Sequence, residues 1–446
     1  MLSRKSKGTS LRQGEQQGGN NMAQKKSIVA LAKEESIQES VSKVFDLLGG
    51  VSSLIEKGST VVMKPNAGHV APQESAVDTN PEVVRAVIRE VRKAEPKCII
   101  IAEAAAIGCD TLECFKACGI QAVAEEEGVK LIDIKREKDL INIPVRGYRS
   151  NISHVKLPRF LLEAEHIINL PILKAHASMV FSCALKNIKG VVQDKVHIDM
   201  HRENLTMAMM DVWYAVRADI NIVDAIYAAG GYSPHTPVPE YVGCILGSKD
   251  PVAVDRVACH LSGINPDEVS YFKVAAETRL GSAVDEEIEV VGERVQDHAI
   301  KMWVPYTCGM DSWPEYTVLH ENACSSCQAL LALNMETLKA IGEYDKNTDA
   351  VVVVGRKASI PEDISKERLI LHGNCTKKWK SRGIFIEGCP PGEGGLKDAI
   401  IDRKEYTEET ITPEIIAHIE KRKAEVAPIW HDYVMEQAKI FHGKKQ

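Results

Sequence analysis

The chain has 446 residues, 44% of them apolar and 26% charged, a balance that suits a globular protein of two or three domains. With a net charge of −7 and only 5% aromatics there is neither a global basic field nor a supply of base-stacking rings, so no nucleic-acid partner is expected. No uninterrupted apolar run approaches the roughly 20 residues of a membrane span, so no membrane is expected either and the expected location is the cytoplasm.

Residues 1–22 are polar and rich in Gly, Gln and Ser, without the apolar core of a secretory signal. Met22 before Ala-Gln-Lys-Lys-Ser reads as a natural start, and the stretch ahead of it as a disordered extension. Apolar runs then follow at 27–32 (SIVALA), 60–63 (TVVM), 98–102 (CIIIA), 166–170 (HIINL) and 219–224 (DINIVD). Runs of this length without polar alternation read as strands buried on both faces. Helical patterns lie between them, such as PEVVRAVIREVRKA at 81–94, with Asn80 as N-cap and Pro81 in the first turn. The fold class expected is α/β: a mostly parallel sheet with helices on both faces, spanning 23–295 and closed by EIEVVGE at 287–293. A smaller C-terminal α/β domain, 296–411, has a helix near 326–343 and strands at 349–355, 368–373 and 383–388. The Lys-rich tail, 412–446, reads as a solvated amphipathic helix.

Parallel sheets bind ligands beyond the carboxyl ends of their strands, so those ends are where function is sought. VVMKPNAGH (61–69) ends a strand in Lys64 and Asn66, with His69 close behind. NLPILKAH (169–176) ends in Lys174 and His176, and ALKNIKG (184–190) adds Lys186, Asn187 and Lys189. His197, Asp199 and His201 follow at two-residue spacing. NIVDAI places Asp224 at a further strand end, before a Gly- and Pro-rich loop. SKDPVAVD places Asp250, a candidate N-cap, and Asp255 on the next loop and helix. Clustered cations near strand ends suit a carboxylate or phosphate, so a small anionic substrate is expected. In that reading Lys174 and Lys186 hold the anion and His176 or His197 moves protons. Lys64, Asn66, Asn187, Lys189, Asp224 and Asp255 complete the binding residues. Taken as an extended segment, His197, Asp199 and His201 would share one face and suit a divalent metal. The phosphate loop GxxxxGK[ST], a GxGxxG after a strand and the GxSxG elbow are all missing, which argues against an ordinary ATPase, nicotinamide dehydrogenase or serine hydrolase.

Twelve cysteines are many for a chain without a signal peptide. Cys98, Cys109, Cys114, Cys118, Cys183, Cys244 and Cys259 sit among apolar neighbours and read as buried small hydrophobes, and Cys308 is ambiguous. The remaining four form a pattern. Cys324 and Cys327 make a CxxC at a helix start, while Cys375 and Cys389 each follow a strand, the latter before Pro390. Helix starts and parallel strand ends can share one rim of a sheet, and a sulfur-only set selects an iron–sulfur cluster or zinc. One tight pair with two strand-borne single ligands favours a 4Fe–4S cluster; paired short knuckles would favour zinc, the alternative cofactor. The function expected is therefore an iron–sulfur enzyme, redox chemistry favoured over a lyase, served by a redox partner protein in a low-oxygen host. The alternatives are a non-catalytic electron-transfer or metal-holding protein, and a zinc-stabilised protein with a separate His/Lys site.

MKPN (63–66), NLPILKAH, ALKNIKGVV (184–192), KVHIDMH (195–201), IVDAI (222–226) and SKDPVAVD (248–255) together resemble the family catalogued as domain of unknown function 362, over roughly 55–265. Members often carry cysteine-ligated iron–sulfur clusters on an added ferredoxin-type segment. The resemblance implies that Lys174, His176, Lys186, Asn187, Lys189 and His197 belong to one site. It supplies no reaction. This chain departs from the usual arrangement in lacking a CxxCxxCxxxCP run.

Overall fold

The computed structural model describes residues 26–145, 152–305, 312–392, 394–403 and 413–443, with side chains of the last segment described from 417. The expected 1–22 extension and Cys308 lie outside the described residues.

Chain order begins with β1 (Ser27–Ala32), α1 (Ile37–Leu47), α2 (Val51–Leu54), β2 (Thr60–Pro65) and α3 (Pro81–Arg92). Next come β3 (Cys98–Glu103), α4 (Thr111–Ala117), α5 (Ile120–Glu126) and β4 (Lys130–Asp133). A two-stranded antiparallel ribbon follows, β5 (Leu140–Pro144) with β6 (His154–Pro158), then α6 (Arg159–Glu163). β7 (His166–Leu170), β8 (Ile172–His176) and β9 (Val180–Ser182) lead to α7 (Ala184–Asn187), α8 (Asp194–Arg202) and α9 (Leu205–Ala215). The first unit ends with β10 (Ile220–Tyr232), β11 (Thr236–Ser248), α10 (Pro251–Leu261), α11 (Ser270–Thr278), β12 (Ile288–Gly292) and α12 (Val295–His298).

These strands build a sheet in the order β12-β1-β11-β10-β7-β2-β3-β4, with β8 beside β10 and β9 beside β8. Pairings from β10 through β7, β2 and β3 to β4 are parallel, as is β1 with β12; β11 runs antiparallel to both its neighbours. The apolar runs are strands because each side of the sheet is covered. Val62 and Ile100 face one buried cluster, and Val61, Met63, Ile99 and Ile101 face the other. Each such fully buried aliphatic side chain contributes about 1.5–3 kcal/mol. Asn80 caps α3 by accepting from Glu82 N, and Asp250 caps α10 by accepting from Val252 N and Ala253 N.

Two expectations are corrected here. The strand expected to end at Asp224 continues to Tyr232 and returns from Thr236 as β11, so residues 233–235 are a hairpin connection and Asp224 is internal to the sheet. Gly231, near the end of β10, takes φ 66, where an L side chain is disfavoured. The HxDxH segment is not extended. It is α8, whose period brings His197 and His201 to one face and turns Asp199 to the other side.

The second unit is a parallel four-stranded sheet: β13 (Thr317–Leu319), β14 (Val351–Val354), β15 (Leu369–His372) and β16 (Ile384–Ile386), in that order. α13 (Ser325–Ala340) and α14 (Gly395–Ile401) cover one face. α15 (Pro413–Gly443) is the tail helix, and it is not solvated on all sides. Val426, Trp430, Val434 and Ala438 pack with Tyr232, Val238, Trp303, Leu330 and Leu333, and Trp430 Nε1 donates to Thr236 Oγ1 at 2.7 Å. The tail thus clamps the β10–β11 hairpin to α13.

Candidate active site and cysteine centre

The carboxyl ends of β2 and β3 bring Lys64 and Glu103 together, 2.6 Å apart and fully buried. Burial alone pushes the lysine down and the carboxyl up; each partner offsets the shift of the other. Lys64 Nζ also donates to Pro65 O and to Asn187 Oδ1, while Glu103 accepts from Ala67 N and Ala104 N. Asn187 is fully engaged: its oxygen accepts from Lys64 and Asn66, and its amide donates to Lys64 O and Asn169 Oδ1. Gly190 is needed for this approach. A Cβ there would collide with Glu103 Oε1 and lie 2.6 Å from Lys64 Nζ. The Lys-Asn-x-x-Gly pattern is therefore a packing surface for a buried ion pair, with two lysines left over.

Lys174 is planted beside this pair. Its Nζ donates to Asn66 Oδ1 and to Val77 O, both at 2.7 Å. Burial lowers its pKa, and the charge of nearby Asp78 opposes the shift; Asp78 itself is raised by burial. Lys186 and Lys189 keep some solvent contact, as does His176. Burial drives Lys186 well below its ordinary value, reinforced by Lys189, Lys174 and Lys64. Burial brings Lys189 to about 8, with Asp194 holding it up and Lys135 pressing it down. His176 is pushed well below the usual imidazole value by burial and then by Lys186 and Lys189, so it is neutral at pH 7. His69 is pushed down to about 2 by burial and by Lys174, with His235, Lys186 and Lys189 adding to it.

α8 carries the connection onward. His197 Nε2 meets Lys189 O at 2.7 Å, a backbone contact that fixes the ring. His201 Nε2 lies 2.7 Å from Lys189 Nζ, and His201 Nδ1 lies 2.8 Å from Ser325 Oγ. A lysine donating to Nε2 leaves the ring proton on Nδ1, directed at Ser325. Ser325 belongs to the Cys324–Cys327 turn. The next residue of α8, Arg202, donates from Nη2 to Cys389 Sγ at 3.4 Å, and Arg202 O accepts from Arg356 Nη2 at 2.8 Å.

The four cysteines are gathered at one end of the small sheet. Cys324 is the N-cap of α13 and Cys327 lies in its first turn; Cys375 follows β15 and Cys389 follows β16. The Cys324 thiol is lowered to about 6, first by a hydrogen bond from Cys327, then by the amides of Cys327 and Ser326 and by Arg202. Cys327 is raised correspondingly, with burial and the charges of Cys324, Cys375 and Cys389 adding to it. Cys375 is raised by burial, then by Cys324 and Cys389. An orphan lies beside them. His372 is buried at the end of β15, and neither ring nitrogen has a hydrogen-bond partner among the described residues. Strand alternation turns it, with Ile370, toward the face that carries Cys327. A sulfur-only donor set next to a buried imidazole in want of an acceptor fits a group bearing sulfur atoms of its own. Among the described residues no three His, Cys, Asp or Glu side chains close around a single ion, neither in the Cys324, Cys327, Cys375 and Cys389 set nor in the His197, Asp199 and His201 set.

Of the residues singled out in the sequence, Lys64, Asn66, Lys174, His176, Lys186, Asn187, Lys189 and His197 fall in one neighbourhood. Two do not serve as ligand groups. Asp224 accepts from Asn80 N and Ile226 N, and burial raises it to about 6. Asp255 accepts from Ala184 N and Leu185 N at the start of α7 and from Tyr271. Both carboxylates are committed to holding backbone. Glu103, Asp78, Arg202 and Ser325 were not foreseen. Glu103 had a visible signal, since it ends the run CIIIAE as Lys64 ends TVVMK; Arg202 had none beyond standing next to His201.

Residues 61–260 match the family described as "Domain of unknown function (DUF362)", the family and segment that the motifs resemble. The matched segment holds the Lys/His neighbourhood, and the four cysteines lie beyond it. The chain is similar to a thylakoid-associated protein of Synechocystis sp., 28% identical over 259 residues, which cover 55% of this chain and 75% of that protein. Two solved structures are similar to part of it. A structural-genomics protein from Thermotoga maritima is 16% identical at TM-score 0.35, over 51% of this chain and 58% of that one. The lactate racemase apoprotein from Thermoanaerobacterium thermosaccharolyticum is 14% identical at TM-score 0.36, over 54% of this chain and 58% of that one. The chain thus spans less than two thirds of either, and at these scores neither carries an argument about function. No helix of the described residues is long and apolar enough to cross a membrane.

Proposed function

We propose that this chain is an iron–sulfur enzyme acting on a small anionic substrate, with Cys324, Cys327, Cys375 and Cys389 holding a 4Fe–4S cluster. The observation that carries the reading is the continuous path Lys189–His201–Ser325, which joins the lysine neighbourhood to the CxxC turn at 2.7 and 2.8 Å. Two unrelated sites would have no reason to share α8. A bound cluster would supply one-electron chemistry, exchanged with a redox partner protein. The protein's own groups supply the rest. Lys174 and Lys189 offer cations to a carboxylate or phosphate, and Asn66 fixes Lys174. His176, neutral at pH 7, is able to accept a proton from a bound substrate. The described cysteines form no disulfide, which suits a reducing compartment such as the cytoplasm.

The test is purification without oxygen, followed by a visible spectrum and assays of iron, sulfide and zinc in wild type and Cys389→Ala. Brown protein with about four irons per chain, lost in the variant, is the expected result. Colourless protein with one zinc, or with no metal, overturns the cluster. Lys174→Ala should keep the iron and lose anion binding; a carrier without its own substrate would be indifferent to that change.

A further inference from the structure

β15 of the small sheet runs at its carboxyl end into 3-10 turns over Asn374–Arg382, a stretch with Cys375, four cations and no acid. That runs against the chain as a whole, whose net charge is −7. Trp379 packs inward on the cluster of Val353, Leu369 and Leu371, while Lys377, Lys378 and Lys380 stand exposed. Arg382 is spent on the carbonyls of Ile360 and Pro361. The end of β14 adds Arg356 and exposed Lys357, and Lys378 Nζ donates to Arg356 O at 3.2 Å, so two strand ends carry one patch. The acids beside it do not cancel it. Glu203 lies 3.7 Å from Arg356, Glu321 meets Lys357 through backbone, and Glu387 is 3.7 Å from Lys377. That last pair is more than half exposed on both sides, where an ion pair is weak. The cysteine centre lies under the same rim. Asn374 N donates to Gly388 O and Gly388 N to Asn374 Oδ1, which ties the Cys375 loop to the Cys389 loop. Cys327 Sγ lies 3.6 Å from where a Cβ on Gly373 would stand. α8 approaches the centre with His201 and Arg202, yet Cys324, Cys375 and Cys389 keep partial solvent contact. A cationic rim around sulfurs that solvent reaches suits a negatively charged visitor, steered in by charge and held briefly.

We propose that Lys377, Lys378 and Lys380, with Arg356 and Lys357, form the docking surface for an acidic electron-carrier protein. The reduced carrier gives one electron to the centre held by the four cysteines. The carrier is oxidised by one electron and the centre reduced by one, and no bond forms or breaks. The proposal rests on the cluster reading and adds the chemistry of the partner. The acidic residues of such a carrier meet the lysines, which brings its own centre to the side where Cys375 and Cys389 reach solvent.

The probe is a small acidic ferredoxin, reduced beforehand and mixed by stopped flow with the full chain purified without oxygen. Iron is assayed in every sample, and calorimetry with oxidised ferredoxin reads binding without electron transfer. One variant combines Lys377→Gln, Lys378→Gln and Lys380→Gln. A control combines Lys57→Gln, Lys346→Gln and Lys421→Gln, removing the same charge from exposed lysines elsewhere. At low ionic strength the first variant should lose about tenfold in affinity and in the bimolecular rate, and the control should not. In strong salt the difference between wild type and variant should vanish. Equal losses in both variants, or none in either, with iron retained, overturn the docking surface and leave the cluster standing. Tighter binding of a labelled single-stranded RNA through the same lysines overturns it in favour of a nucleic acid. Protein free of iron overturns the cluster, and the electron transfer with it.

Discussion

Ser325 Oγ sits 2.8 Å from His201 Nδ1, and through that contact the CxxC turn of the small sheet touches the helix that borders the lysine cluster. His201 is the pivot, because its other nitrogen meets Lys189 Nζ. The adjacent Arg202 holds Cys389 from the same helix, so α8 reaches the cysteine centre by two residues at once. Two hydrogen-bond contacts therefore join the two constellations.

The first prediction concerns that route. Saturating sulfate should change the electron paramagnetic resonance spectrum of the reduced wild-type protein, because an anion on Lys189 alters what it donates to His201. In His201→Ala the iron content should persist and the spectral response to sulfate should vanish. An undiminished response in the variant would show that the two sites do not communicate through this helix.

Arg202 supplies a second prediction. Its guanidinium donates to Cys389 Sγ at 3.4 Å, and a cation there favours whichever oxidation state carries more negative charge. Arg202→Ala should retain iron and move the midpoint potential in the negative direction, with Arg202→Lys in between. A potential unchanged by the loss of the arginine would place its charge outside the reach of the centre.

Gly190→Ala should be severely destabilising. The new methyl group would occupy the place of Glu103 Oε1 and press on Lys64 Nζ, forcing the buried pair apart. Breaking a buried ion pair typically costs roughly 3–5 kcal/mol, far more than an exposed Gly→Ala exchange. Thermal or urea unfolding of the variant checks this. A loss below about 1 kcal/mol would mean that the strand ends can open without penalty.

How much of this could be read from the residues depended on whether local pattern and tertiary context agreed. SIVALA, TVVM and CIIIA became strands because both sheet faces are covered, so their unbroken apolar character was an unambiguous signal. The cysteine turn was legible for a similar reason: a CxxC opening an amphipathic run places its first sulfur at a helix N-cap, where Cys324 is found. KVHIDMH misled because polar and apolar residues alternate there at period two. His197, Met200 and His201 also recur at helical spacing, and Asp194 supplies an acidic first turn; those signals won. Asp224 misled because a strand end was inferred from the glycines after it, where the chain in fact continues into a hairpin. The tail carried an overlooked clue in Val426, Trp430, Val434 and Ala438. Their four-residue spacing marks a buried stripe that Lys-rich composition concealed. The Ser325–His201 contact had no local signal, since it joins residues 124 positions apart.

Anion binding should weaken as pH rises through 8, and the sign follows from Lys189. Its folded pKa is about 8, below the ordinary 10.5, with burial as the main cause, Asp194 raising it and Lys135 lowering it. An anion requires the charged form, which is fully populated only below that value. Lys174 is also lowered and contributes in the same direction. In the free protein the linkage runs oppositely. Between pH 8 and 10.5 the unfolded chain holds the Lys189 proton and the folded one has released it, so this lysine makes stability rise with pH across the window. Sulfate is the probe of choice because it does not titrate there. Its stabilisation of the melting temperature should be large near pH 7 and shrink toward pH 9, while isothermal calorimetry in buffers of different ionisation enthalpy should show proton uptake on binding above pH 8. Lys189→Gln should weaken binding at pH 7 and flatten the pH dependence, leaving only the part that Lys174 supplies. Sulfate binding that holds steady to pH 9, or strengthens, would remove Lys189 from the anion site.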